Sequence, residues 1–247
     1  MRRTRVERSR HVQIRRIIEP RSDLIVSLAI VASTCFAASQ SQDAKDVLQR
    51  VEAAYARLGT YQDTVQIVTN HPGGTDYQTI KTWFARPGRW RLEYHEPQPT
   101  GRTAMAVMWS NGKTIRLWHD GGRKVPTVVP DVGAGIESLA RVAGQYIETV
   151  PGLLDPRAVS DRALSDLTGA VMLTEGRLGV EPCYRVSAKD SASSSVTFWF
   201  EKRRLMILKV ENALSVGSLG DATMVATYSP VPNPSITSAT FEFKPPK

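Results

Sequence analysis

Beyond about residue 60 the hydrophobic period of this 247-residue chain becomes two, and it stays two nearly to the end. Trp90, Leu92 and Tyr94 alternate with Arg91, Glu93 and His95; Ile115 and Leu117 alternate with Arg116 and Trp118; Val196, Phe198 and Phe200 alternate with Thr197 and Trp199. That spacing puts successive side chains on opposite faces of an extended strand. Similar runs cover 65–69, 78–85, 104–109, 171–174, 184–188, 205–210 and 222–228. Turns such as Ser110-Asn111-Gly112-Lys113 and Asp120-Gly121-Gly122-Arg123 are too short for a crossover, so neighbouring strands pair antiparallel. A sheet of so many strands must curl or close, because a long flat one leaves unpaired edges.

Two interruptions carry the helical period instead. Val47, Leu48, Val51, Ala54, Tyr55 and Leu58 predict a helix over 43–58, stopped by Gly59. Between Gly135 and Gly169, Ile136, Leu139, Ala140, Ala143, Ile147 and Val150 form one amphipathic stripe broken by Pro151-Gly152, and 161–167 reads as a second short helix. The expected fold is mainly β with α (α+β). It is a curved, incompletely closed antiparallel barrel of about eleven strands, six before the helical insertion at about 135–169 and five after it. An N-terminal helix and a central helical lid cover the open side.

Residues 1–39 read as an export signal. Eight Arg flank the start of the apolar run Leu24-Ile25-Val26-Ser27-Leu28-Ala29-Ile30-Val31-Ala32, and Ala37-Ala38-Ser39 before Gln40 places cleavage near Ser39. The apolar stretch is about 15 residues, short of the roughly 20 that cross a bilayer. A form anchored by lipid on Cys35 is not expected, since Ala32 and Thr34 stand where a lipoprotein signal has Leu and a Gly or Ala. Residues 40–247 are then a single periplasmic domain, expected to be monomeric.

The leader also holds most of the basic charge. The chain has 32 Lys+Arg and 24 Asp+Glu, whereas residues 40–247 retain 24 and 21, a net of +3. The apparent basicity thus belongs mostly to the leader, whereas a nucleic-acid-binding face should survive processing, so no nucleic-acid partner is expected. Cys183 alone survives cleavage, which rules out an internal disulfide, and between Pro182 and Tyr184 it reads as a small buried hydrophobe.

Nothing in the sequence announces catalysis. Asp131-Val132-Gly133-Ala134-Gly135-Ile136 imitates a dinucleotide loop, but Ser138 replaces the third glycine and no parallel βαβ context exists. Gly217-Ser218-Leu219-Gly220 lacks the glycine spacing of a nucleophile elbow. His71, His95 and His119 lie in separate strands or turns and read as solvated rather than as metal ligands. The expectation is a protein that is not an enzyme, with no cofactor, no metal and no catalytic residue.

Four segments in order resemble the LolA/LolB family of periplasmic lipoprotein carriers. They are the helix at 47–61, Trp83-Phe84-Ala85-Arg86-Pro87-Gly88-Arg89-Trp90, the hairpin Trp109-Ser110-Asn111-Gly112-Lys113-Thr114, and the closing strand Phe241-Glu242-Phe243-Lys244-Pro245-Pro246. The segment 133–170 is longer than in the carrier and Pro246-Lys247 ends the chain without the carrier's C-terminal extension, so a divergent relative is expected. The resemblance implies a concave apolar wall that shelters acyl chains of a lipid or lipoprotein, each methylene removed from water contributing about 0.8 kcal/mol. A membrane partner that delivers or receives the cargo is implied with it. The wall would be built from Trp83, Trp90, Leu92 and Tyr94; from Met105, Val107, Trp109, Ile115 and Leu117; and from Phe198, Phe200, Ile207, Met224 and Phe241. Period two leaves open which face of each strand points inward. By the same resemblance Arg86 holds backbone carbonyls of a lid that carries Ile136, Leu139 and Ile147. An envelope-stress sensor or protein-interaction module on the same scaffold is the alternative.

Overall fold

The helical spacing of Val47, Leu48, Val51 and Tyr55 is realised in α1, which spans Asp23–Ala56 and buries those four side chains together with Ala44. The computed structural model describes residues 23–122, 125–143, 149–157, 163–190, 194–215 and 220–246, and the chain divides into two compact units, Met1–Ala37 and Ala38–Lys247. Most of the expected export signal lies outside what is described, apart from the helical backbone from Asp23 onward. No helix among the described residues is long and apolar enough to cross a membrane.

After α1 come β1 (Thr60–His71), β2 (Gly74–Ala85), β3 (Arg89–Pro97), β4 (Thr103–Asn111), β5 (Ile115–His119) and β6 (Thr127–Val129). The insertion holds α2 (Val132–Ala143), α3 (Thr149–Leu154) and a 3-10 turn at Leu164–Asp166. The second run is β7 (Thr168–Met172), β8 (Gly176–Leu178), β9 (Glu181–Lys189), β10 (Ser195–Glu201), β11 (Ile207–Ser215), β12 (Asp221–Tyr228) and β13 (Val231–Pro232), followed by a 3-10 turn at Ser238–Phe241.

All thirteen strands form one antiparallel sheet in the order β6-β5-β4-β3-β2-β1-β12-β11-β10-β9-β7, with β13 beside β1 and β8 beside β9. The two meanders meet where β1 pairs β12, Val65 lying opposite Tyr228. β6 and β7 end the path without pairing each other, so the barrel is not closed. Buried side chains from both meanders nevertheless belong to one core with α1, α2 and α3, which requires the sheet to bend around the helices.

Local chemistry explains the joints. Gly112 takes φ +90° in the β4–β5 turn, where a Cβ would meet the Pro87 carbonyl oxygen at 3.3 Å, and Asn111 Oδ1 accepts the Lys113 and Thr114 backbone N–H groups at 3.2 and 3.3 Å. Only glycine fits such a position without strain, and the asparagine side chain replaces a backbone acceptor.

Four expectations are corrected. The sheet has thirteen strands rather than about eleven, because β6, β8 and β13 are two or three residues long and too short to show a period. The segment Phe241–Pro246 is not a closing strand: a 3-10 turn ends at Phe241 and the rest pairs with nothing in the sheet. Prolines without an N–H cannot donate to a ladder. Pro151-Gly152 does not stop the helix but lies inside α3, where Pro151 occupies the first turn and its missing donor has no partner to lose; residues 144–148 between α2 and α3 lie outside the described residues. Of the helix expected over 161–167, residues 161 and 162 lie outside the described residues, and the remainder holds only the 3-10 turn Leu164–Asp166.

Candidate functional site

The inner, helix-covered face of β1–β5 is a ladder of rungs set by register. Tyr61, Phe84 and Trp90 lie side by side across β1, β2 and β3; the next rung is Asp63, Thr82, Leu92, Met108 and Leu117; the third is Val65, Ile80, Tyr94 and Ala106. Across the junction Ile67, Ala226, Val210, Phe198 and Val186 continue the wall, and the Phe198 and Phe200 rings stack at 5.7 Å. α1 packs on it through Val47, Leu48, Val51 and Tyr55, α2 through Ile136 and Leu139, and α3 through Val150, Leu153 and Leu154. Each such aliphatic or aromatic side chain withdrawn from water stabilises by roughly 1.5–3 kcal/mol.

Of the fourteen residues proposed for the wall, Trp90, Leu92, Tyr94, Phe198, Phe200, Ile207 and Met224 lie in this core, and Ile115 and Leu117 pack against it partly buried. The structure does not bring the other five there. Trp83, Met105, Val107 and Trp109 have the opposite parity on β2 and β4 and point to the outer face, where Val107, Trp109 and Trp118 form a second cluster with Met105 and Phe243. Phe241 also lies on that side, with the Arg89 guanidinium 5.3 Å from its ring. The apolar run 104–109 supplies both faces of β4, so alternation gave no sign of which was inside. Ile147 lies outside the described residues.

Arg86 fastens the helical cover. Its Nε donates to the Leu58 carbonyl at 2.9 Å, and Nη2 donates to the Ala56 carbonyl at 2.9 Å and to the Leu154 carbonyl at 2.7 Å. Ala56 ends α1 and Leu154 ends α3, so one guanidinium satisfies acceptors at two helix C-termini, where the backbone has no partners of its own and cations are favoured. Its plane lies 5.1 Å from the Phe84 ring, and the Arg86 backbone N–H donates to the Gly59 carbonyl at 2.9 Å. Beside α3, a surface recess of about 780 Å³ is lined by Ile115, Val132, Glu137, Asp155 and Arg157. Ile115 and Val132 also touch the core, so the interior comes near the surface here.

One feature escaped the sequence analysis. Asp63 is 2 % exposed on the inner face. Tyr61 Oη donates to its Oδ2 at 2.7 Å, and Tyr55 Oη accepts the Ile207 backbone N–H at 3.1 Å. Burial pushes the Asp63 carboxyl up to about 7, with Tyr61 and Thr82 opposing the rise. Burial likewise raises both tyrosines well above their ordinary range. The signal was present in Tyr61-x-Asp63-x-Val65-x-Ile67, an acid at an inward position of an alternating strand.

No protein-family model and no curated protein matches the chain. Among solved structures it is similar to LprF from Mycobacterium bovis, at 13% identity and TM-score 0.48 over 80% of this chain and 96% of that one. It is similar also to a LolA superfamily protein from Nitrosomonas europaea, at 14% identity and TM-score 0.34 over 81% of this chain and 97% of that one. A third likeness is to the complex of MucA and MucB from Pseudomonas aeruginosa, at 13% identity and TM-score 0.36; it covers 82% of this chain but 61% of that one.

Proposed function

We propose that this chain is a non-enzymatic binding protein of the bacterial envelope, exported to the periplasm, that shelters acyl chains of a lipid or lipoprotein between its sheet and helical cover and passes them to a partner. The carrying observation is the Arg86 latch: a broad apolar wall is covered by helices whose ends are held at three carbonyls by one side chain. When Arg86 releases, the C-terminal ends of α1 and α3 lose their shared tie. An acyl chain entering beside Ile115 and Val132 would replace the contacts that α2 and α3 make with the wall. One 16-carbon chain contributes on the order of 10 kcal/mol before ordering costs. Part of that offsets the lost lid packing, which keeps net affinity moderate and allows transfer to a tighter-binding partner.

A neutral pyrene-labelled hydrocarbon probe, whose emission reports a dry environment, tests the reading. The purified protein is expected to take it up, and Arg86→Leu to raise apparent affinity about tenfold by loosening the closed state. A wild-type protein that takes up no probe sinks the carrier reading, and unchanged affinity in Arg86→Leu removes the latch from it.

A further inference from the structure

Two polar atoms inside the apolar wall have no hydrogen-bond partner among the described residues: Trp90 Nε1 and Asp63 Oδ1. Both residues are buried on the inner face, Trp90 at 0% and Asp63 at 2% exposure. They differ in kind. The indole N–H only donates, and an ionised carboxylate oxygen only accepts. Leaving either unpaired in a dry interior is unfavourable.

Their placement is determined by the ladder. Trp90 stands on the first rung and Asp63 on the second, two strands apart, so their Cα atoms lie about 10 Å apart across the sheet and about 7 Å along it. Phe84 and Thr82 of β2 stand between the two positions, and the Trp90 and Asp63 side chains both face the helices. Each is fixed by its neighbours: the Trp90 ring lies 4.5 Å from Phe84, and Tyr61 holds Asp63 Oδ2 so that Oδ1 is the oxygen left over. The Thr82 hydroxyl, opposite on β2, favours the ionised form without completing a bond to Oδ1.

We propose that the Trp90 indole N–H and Asp63 Oδ1 form the polar end of the acyl-binding interior and read an amide beside the chain, its carbonyl accepting from Trp90 and its N–H donating to Asp63. This rests on the carrier reading and narrows its ligand. A free fatty acid would bring a second negative charge toward Asp63. An ester offers a carbonyl to Trp90 but no donor, and leaves Asp63 Oδ1 unpaired. An amide satisfies both atoms at once.

N-methylpalmitamide and methyl palmitate are matched in length and shape and differ only in N–H against O, so their competition against the neutral pyrene probe at pH 8 isolates the donor. The wild type is expected to prefer the amide about tenfold, in line with the cost of an unpaired buried acceptor. Asp63→Leu brings that ratio close to one. Trp90→Phe keeps an aromatic ring but removes the N–H donor, and weakens both competitors alike, by roughly fivefold. Equal displacement by amide and ester in a wild type that takes up the probe overturns this inference and leaves the carrier reading standing. A wild type that takes up no probe overturns both.

Discussion

Asp63 and Glu93 are carboxylates on one sheet, two strands apart, and they answer burial in opposite ways. Asp63 faces the helices, and desolvation lifts it to about 7 against the pull of Tyr61 and Thr82. Glu93 faces outward. Burial alone would raise it too, but His95 and Arg91 outweigh that and hold it below the usual carboxylate range. The inner face holds its acid with neutral hydroxyls, and neither lysine nor arginine is among the buried residues described. On the outer face Trp83, Trp109, Trp118, Trp199, Phe241 and Phe243 each have a cation or another ring against them. The Arg91 guanidinium lies 5.5 Å from Trp83 and 5.4 Å from Phe243, and its Nη1 donates to the Thr240 carbonyl at 3.0 Å. Part of the outer face is therefore covered by the chain's own C-terminal segment, whereas the inner face keeps unpaired polar atoms at Trp90 and Asp63. The C-terminal segment acts as a structural strap outside, and the inner face is where the proposed ligand would lie.

The largest test of the division is packing. Trp90→Ala removes a fully buried ring from the centre of the inner core and is expected to cost about 3–5 kcal/mol of unfolding free energy in urea. Phe243→Ala removes a partly exposed ring from the small outer cluster and should cost about 1–2 kcal/mol. Equal losses would mean that both faces are cores of the same weight, and the assignment of one as a ligand wall would lose its basis.

Next in size is the inner acid. Its folded pKa is raised from 3.8 to about 7, so between those values the native state binds the proton more tightly than the unfolded chain. Stability therefore falls as pH rises from about 4 to about 7 and levels off above. Asp63→Asn removes this dependence and is expected to stabilise the protein at pH 8 by on the order of 2–3 kcal/mol. The loss of a charged acceptor for Tyr61 subtracts from the gain. Urea unfolding of both proteins at pH 5 and pH 8 checks it. A wild type more stable at pH 8 than at pH 5, with no gain from Asp63→Asn, would show that Asp63 is solvated and that the interior is not dry.

The two faces were unequally legible in the sequence. Strands with a polar residue at every second position, such as β3 and β10, showed their existence and antiparallel pairing, and the helical spacing of 47–58 showed α1. Strands apolar on both sides did not show orientation: β4 offers Ala106 and Met108 to the core and Met105, Val107 and Trp109 to the outside with no contrast between the sets. The inward direction is a tertiary property, decided by where α1 lies. The tail was misjudged because Phe241 and Phe243 alternate like a strand while Pro245-Pro246 cannot pair. Arg86 was singled out by resemblance, and its three carbonyl partners come from segments 28, 30 and 68 residues away, beyond any local pattern. Asp63 was readable and missed, since acids in strands are commonly on the wet side.

The smallest expected effect is on the outer acid, and its sign separates it from the inner one. Arg91 Nε donates to Glu93 Oε1 at 2.7 Å and His95 Nε2 lies 3.1 Å from Oε2, so Glu93 is held in its charged form. A depressed carboxylate contributes stability that is present above its unfolded pKa and lost as pH falls through the lower folded value. Both partners are partly exposed, 21% for Arg91 and 25% for His95, so solvent screens the pair and Glu93→Gln is expected to cost only about 1 kcal/mol at pH 7. That cost should shrink below about pH 4 as the wild-type carboxylate takes up its proton. The two acids thus act on opposite limbs of the stability curve, Asp63 between about pH 4 and 7 and Glu93 below it. A Glu93→Gln protein that loses stability equally at pH 3 and pH 7 would show that the residue acts through packing beside its register neighbour Val107, and the electrostatic contrast between the faces would then rest on Asp63 alone.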